Sequence, residues 1–261
     1  NLIMTLLNGM IHKLLVNKKT VRQKNQPVIL QMASDDAKRK NPLMLMRYIR
    51  TALEPQEYNL MVKEALYKNN PKPTSNLITA ICNLCRPSRT RTGVDSVIVY
   101  NFDDLIERAL EKHNIEFVSV CRDLDERSNE ALNFYHVHGY LPHDADALSV
   151  DRGLIFSEED YHHIYSDAYC WSNIIQINTF RDKTCLFIGS SITDPNMRRL
   201  LDIASRHDEK PRHFAFMLRP HVGETTQDAS TEAFSQYREI DESIWRSFYQ
   251  SLGINVIWVD S

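Results

Sequence analysis

Val97-Ile98-Val99-Tyr100-Asn101-Phe102-Asp103-Asp104 is the stretch on which the fold turns. Four apolar, mostly β-branched residues read as a short buried strand. Polar residues follow at once, and an amphipathic pattern predicts a helix over Asp103–His113. The same switch recurs downstream. Strands are expected over Glu116–Val120, Phe134–His138, Thr184–Ile188, His213–Leu218 and Ile254–Val259, with helices over Pro195–Ser205 and Thr231–Leu252. Pro195 suits the first turn of its helix, where a missing N–H costs nothing. Strand–helix alternation of this kind argues for an α/β fold whose parallel sheet is covered on both faces.

Upstream of about residue 90 the texture differs. Leu2, Leu6, Leu7, Met10, Leu14 and Leu15 recur at helical spacing, and Leu43, Leu45, Met46, Tyr48 and Ile49 begin a second helix that ends before Pro55. Gln56–Tyr67 and Ser75–Cys85 read as two more, separated by Pro71 and Pro73. The chain is therefore expected to be one domain over 1–261, with a mostly helical part over 1–90 and a sheet-forming part over 91–261.

Composition sets the outer bounds. The 261 residues carry a net charge of −3. No apolar run reaches the roughly 18 residues needed to span a bilayer, and no leader pattern opens the chain, so a cytoplasmic protein with no membrane partner is expected. The five cysteines are odd in number and irregular in spacing, which argues against a disulfide framework. Cys82 and Cys85 form one CxxC pair, half of what a structural zinc site uses, so no metal is expected. Charge is uneven: residues 11–50 hold ten Lys or Arg against Asp35 and Asp36. Such a segment serves either as a solvated helical surface or as an interface for a partner, and no aromatic interleaving or motif indicates nucleic acid directly.

In a parallel sheet, ligands bind beyond the carboxyl ends of the strands. Asn101 and Asp103 stand there after the first strand, either capping the following helix or projecting into the ligand crevice. His138 stands at the end of another strand, on the same face as His136 by alternation and just before Gly139. Gly189-Ser190-Ser191-Ile192-Thr193-Asp194-Pro195-Asn196 follows a third. A small-residue loop that opens a helix leaves N–H groups for phosphate or ribose oxygens, while Asp194 and Asn196 either assist or cap the helix.

These three pieces, in this order, resemble the sirtuins. There an Asn-x-Asp follows a strand, a His-Gly carries the catalytic histidine and a Gly-Thr/Ser-Ser loop binds the cofactor. The finer texture resembles the sirtuin-like NADase domains of bacterial antiphage defence, with Asn101–Ile106, Ile155–Tyr161, and Leu186–Ser191 followed by Asp194, Asn196 and Leu200-Leu201. The resemblance covers residues 75–261 and implies a Rossmann-like parallel sheet flanked by helices. The chain departs from the family in three ways. It lacks the paired-CxxC zinc module, Tyr100 replaces the Gln before Asn101, and only Gly9 and Gly93 precede Gly139, so no Gly-Ala-Gly-x-Ser phosphate loop is present. As the chain opens on Asn1 rather than Met, that strand and loop are expected either to precede it or not to have been retained.

The resemblance implies cleavage of the nicotinamide–ribose bond of NAD⁺, used as a substrate. Asn101 and Asp103 would hold the nicotinamide amide and the attacking group, His138 would act as base, and Gly189, Ser190 and Ser191 would hold ribose or phosphate oxygens. The missing zinc module favours water over an acyl-lysine as nucleophile. A homo-oligomer is expected, with a sensor domain or partner protein; deacylation and NAD⁺ or ADP-ribose sensing without turnover are the alternatives.

Overall fold

In a computed structural model the chain is described over residues 2–17, 25–68, 72, 74–86, 93–144, 153–206, 210–219 and 231–260. Five helices come first: α1 (Leu2–Asn17), α2 (Gln26–Ala37), α3 (Pro42–Thr51), α4 (Pro55–Tyr67) and α5 (Asn76–Cys85). There follow β1 (Ser96–Val99), α6 (Leu105–Lys112), β2 (Phe117–Val120), β3 (Leu132–His136), α7 (Glu158–Ser166) and α8 (Trp171–Asp182). The order closes with β4 (Leu186–Phe187), α9 (Pro195–Ser205), β5 (His213–Leu218), α10 (Thr231–Ser251) and β6 (Ile254–Val259). The expected α/β class, with parallel strands flanked by helices and a helical N-terminal part, is what forms. The expected prolines Pro71 and Pro73, and the basic residues 18, 19, 22 and 24, lie outside the described residues.

Helix starts follow local chemistry. Pro42, Pro55 and Pro195 each stand in a first turn, and Asn41, Ser75 and Asp194 accept backbone N–H groups at their helix starts. Three helices were not expected from the sequence: α2, α7 and α8. α2 lies in the segment read for its charge, and α8 buries polar Ser172, Asn173 and Gln176, so it shows no apolar stripe to read.

The strands form two three-stranded parallel sheets, in the orders β1-β3-β2 and β4-β5-β6. Two strands end earlier than expected. β3 ends at His136, because Val137 N–H bonds Tyr135 O and Gly139 N–H bonds His136 O in a turn. β4 keeps only Leu186 and Phe187 before Gly189 turns the chain at φ +66. The expected cover on both faces is also not uniform: Phe214, Phe216 and Leu218 alternate with buried His213 and Ala215 and stay exposed.

The chain divides into two compact units, Asn1–Ser166 and Asp167–Ser261. The change of texture near residue 90 is therefore not the boundary between units. Within the first unit the reason is a shared core. Leu6, Leu7 and Met10 of α1, Ala37 of α2, Leu45, Met46 and Ile49 of α3, and Tyr58 and Val62 of α4 cluster with Phe102, Leu141 and Leu154 from the loops beyond β1 and β3. A second cluster joins Cys82 and Cys85 of α5 to Val99, Ala109, Leu110 and Phe134. Both cysteines are buried and free, and burial pushes the Cys85 thiol up to about 11. The CxxC pair is thus core filling.

The described cations of the basic segment are largely neutralised locally. Lys13 pairs with Glu57, Lys38 with Asp35, Lys40 with Asp36, Arg47 with Glu158 and Arg50 with Asp160. The last two fasten α3 to the start of α7.

Phe102 is 7 % exposed and meets the Phe156 ring edge-on, 5.2 Å between centroids. Phe102→Ala is expected to cost about 3–5 kcal/mol, read from the midpoint of denaturant unfolding, while Phe102→Leu should cost under half as much.

Candidate active site

β1 and β3 are hydrogen-bonded neighbours running in parallel, with Val99 opposite His136. Asn101 and His138 each come two residues later, Asn101 in the bend after β1 and His138 in the turn after β3, so both follow the carboxyl ends of neighbouring strands. The two loops are also joined directly, since Leu141 N–H donates to Phe102 O at 2.7 Å. Phe102 and Leu141 are both buried in the helical cluster. The flanking residues Asn101 and Asp103 are left exposed and half-buried respectively.

His138 occupies the turn after β3, not the strand itself, and is 7 % exposed. Gly139 follows at φ +98, a conformation open to glycine that any side chain would strain. Two aromatic rings frame the imidazole edge-on: Tyr100 from the end of β1 at 5.0 Å and Tyr161 of α7 at 5.9 Å. The His138 carbonyl accepts Ile155 N–H at 2.8 Å, which ties the turn to the segment entering α7. Neither tyrosine stood out as a functional residue in the sequence, although Tyr100 occupies the position where sirtuins carry Gln.

Three carboxylates follow one another in this region, and each has a different environment. Asp103 accepts Leu105 N–H at 3.2 Å, so it contributes to the start of α6 as one of the two expected roles required. Burial lifts its pKa above the ordinary carboxylate value; the Leu105 hydrogen bond opposes this, and the charges of Glu107 and Asp104 add to it. Asp104 is buried and fully engaged: Oδ2 accepts His143 N–H at 2.8 Å, and Oδ1 lies 3.2 Å from the Tyr67 hydroxyl and 3.8 Å from Arg108. Glu107 is buried against His136, whose Nε2 shares a short hydrogen bond with its carboxylate. His136 is wholly buried with its ring over Tyr140, 4.0 Å between centroids. Alternation on β3 suggests His136 as a companion of His138, but its nitrogen is instead committed to α6. Among the described residues, no three His, Cys, Asp or Glu side chains come together in a way that could hold a metal ion.

In the second unit, the loop from Gly189 to Asn196 is shaped by its own side chains. Ser190 Oγ accepts Ile192 N–H at 3.2 Å, and the Ser191 and Thr193 hydroxyls meet at 2.7 Å. Asp194 Oδ1 accepts Met197 N–H at 2.6 Å and caps α9. Asn196 is 1 % exposed, donates to Asn173 Oδ1 at 2.9 Å and accepts the Arg199 guanidinium at 2.8 and 3.2 Å. Asp194 and Asn196 are thus occupied as cap and helix–helix tie, whereas Gly189 and Ser191 are exposed. Among the described residues no helix is long and apolar enough to cross a membrane.

A family model for the SIR2-like domain matches residues 95–242. No curated protein matches the chain. The matched span begins one residue before β1 and runs into α10, taking in the Asn101–Asp103 loop, the His138 turn and the Gly189–Asn196 loop. SIR2-like family members are NAD-dependent enzymes. It covers more than half of the 261 residues, and the chain belongs to the SIR2-like domain family.

Proposed function

We propose that this chain is an NAD⁺ hydrolase that cleaves the nicotinamide–ribose bond to give nicotinamide and ADP-ribose. The observation that supports this reading is that β1 and β3 are neighbouring parallel strands, with Val99 opposite His136, and that Asn101 and His138 follow their ends, with Asp103 two residues after Asn101.

The chemistry asks for three things. The C1′–N bond breaks with its electron pair leaving on nicotinamide, so positive charge grows on the ribose and a nearby carboxylate stabilises it. Asp103 supplies that carboxylate. Asn101, exposed at the strand end, has an amide suited to the carboxamide of nicotinamide. His138 takes the proton of the attacking water as its oxygen bonds to C1′, because imidazole titrates near working pH. One water is consumed and one proton released. For Gly189, Ser190 and Ser191 the proposed role is to meet ribose or phosphate oxygens through backbone N–H and hydroxyl groups. The likeness to defence NADases supports a role in antiphage defence by NAD⁺ depletion, in an oligomer held silent until triggered.

Nicotinamide release from NAD⁺, followed with and without an acetylated peptide, separates the readings. Release without peptide is expected, and His138→Ala should lower its rate about 10²–10⁴-fold. Release only with peptide makes the chain a deacylase. Absence of release in both arms, with NAD⁺ or ADP-ribose bound, makes it a sensor.

Asp103 gives a pH-dependent test. A carboxyl whose folded pKa is raised holds its proton more tightly when folded. It therefore supports folding below its unfolded value near 3.8 and opposes it as pH rises through the folded value. Asp103→Asn keeps an oxygen for Leu105 N–H and removes the buried charge. It is expected to melt no lower than the parent at about pH 7, with any gain shrinking toward about pH 4, while nicotinamide release falls. Thermal melts at the two pH values check this, and a loss of stability at pH 7 would contradict it.

A further inference from the structure

We propose that Tyr67 and Asp104 are positioning residues that clamp the His138 turn onto the Asn101–Asp103 loop, so that the helical N-terminal part is a working piece of the active site. The inference rests on the hydrolase reading for its catalytic consequence, but the clamp itself stands on geometry alone.

Tyr67 ends α4, and its hydroxyl reaches both loops. The Tyr67 oxygen lies 2.8 Å from Leu141 O and 3.2 Å from Asp104 Oδ1, two acceptors for one proton, and accepts Asp104 N–H at 3.3 Å. Asp104 completes the bridge: its backbone belongs to the loop after β1, yet its Oδ2 accepts His143 N–H from the loop after β3. With Leu141 N–H on Phe102 O, four hydrogen bonds link residues 102–104, 67 and 141–143 into one closed ring. The Tyr67 ring also stands edge-on to His143 at 5.1 Å. Asp104 is 5 % exposed, and a carboxylate so buried is kept only where its oxygens are satisfied. Burial and the Asp104 charge push the Tyr67 phenol far above its usual range, so it stays a neutral donor at any working pH.

The consequence is geometric. Asn101 and Asp103 flank Phe102, and His138 lies three residues before Leu141, so the ring sets the separation of the base from the amide and carboxylate. Misplacement by about 1 Å can cost about 10²-fold in rate. Neither Tyr67 nor Asp104 need touch substrate, which separates them from the catalytic residues.

The test uses Tyr67→Phe, which removes the hydroxyl and keeps the ring, and Asp104→Asn, which keeps an acceptor for His143 N–H. Amide hydrogen exchange over residues 101–105 and 138–143 is measured beside kcat and KM for NAD⁺ cleavage. Tyr67→Phe should quicken exchange in both segments about tenfold and lower kcat about 10–100-fold with KM within about twofold. Asp104→Asn should retain more activity than Asp104→Ala. Tyr67→Phe combined with Asp104→Ala should be no slower than Asp104→Ala alone, because both act through one ring. Unchanged exchange in Tyr67→Phe would overturn the clamp. Faster exchange with unchanged kcat would overturn the positioning role. If the parent releases no nicotinamide yet Tyr67→Phe exchanges faster, the hydrolase reading fails and the clamp stands.

Discussion

The burial of Phe102 is the constraint on which the first unit depends. A residue between two polar neighbours in a strand-end loop would ordinarily face solvent. Here it enters a cluster built by α1, α3 and α4, while its own carbonyl holds Leu141 N–H. One residue therefore anchors the loop after β1 to the helices and to the loop after β3. The site loops inherit the stability of a packed interior, which close packing makes stiff to small displacements. This also explains why the helical part and the sheet β1-β3-β2 fall in one compact unit.

Carboxylates at 103, 104 and 107 would repel one another if left alone, and the fold resolves them unequally. Asp104 receives Tyr67, His143 N–H and Arg108; Glu107 receives His136. Asp103 receives one backbone N–H and carries the raised pKa. Asp103 is the carboxylate held at a cost in stability, and the two that are satisfied tie α6 to β3 and to the loop after it.

Much of this was legible in the residues. Val97–Val99 followed by Asn101 announces a strand end with polar groups on it, and the alternation of short apolar runs with amphipathic helices gives the parallel class. The joint order of Asn101-x-Asp103, His138-Gly139 and Gly189-Ser190 carries the family. Other parts required the third dimension. The inward turn of Phe102 has no local signal, because neither helix nor strand periodicity covers it. His136 and His138 look alike on a strand, yet a turn two residues earlier than expected sends one to Glu107 and leaves the other framed by Tyr100 and Tyr161. α8 escapes notice because its buried face is mostly polar: beside Phe180 stand Ser172, Asn173 and Gln176, with Gln176 donating to Ser172 O and Asn173 donating to Asp167 O and accepting from Asn196. Polar burial is invisible to any hydrophobic pattern.

The loop after β4 shows a second kind of constraint, stored in the backbone. Gly189 takes a positive φ without difficulty, but Ile192 takes φ +52 while 2 % exposed. A β-branched residue in the left-handed region costs of order 1–3 kcal/mol and persists only where its surroundings over-determine it. Those surroundings are visible: Ser190 Oγ on Ile192 N–H, the Ser191–Thr193 hydroxyl pair, the Asp194 cap on α9 and the burial of the Ile192 side chain. The strain falls at Ile192 itself, whose side chain is buried and whose N–H is held by Ser190 Oγ, two residues before the Asp194 cap. The exposed Gly189 and Ser191 are thus presented by a loop whose hydrogen bonds run within it, with Asp194 and Asn196 engaged at the start of α9.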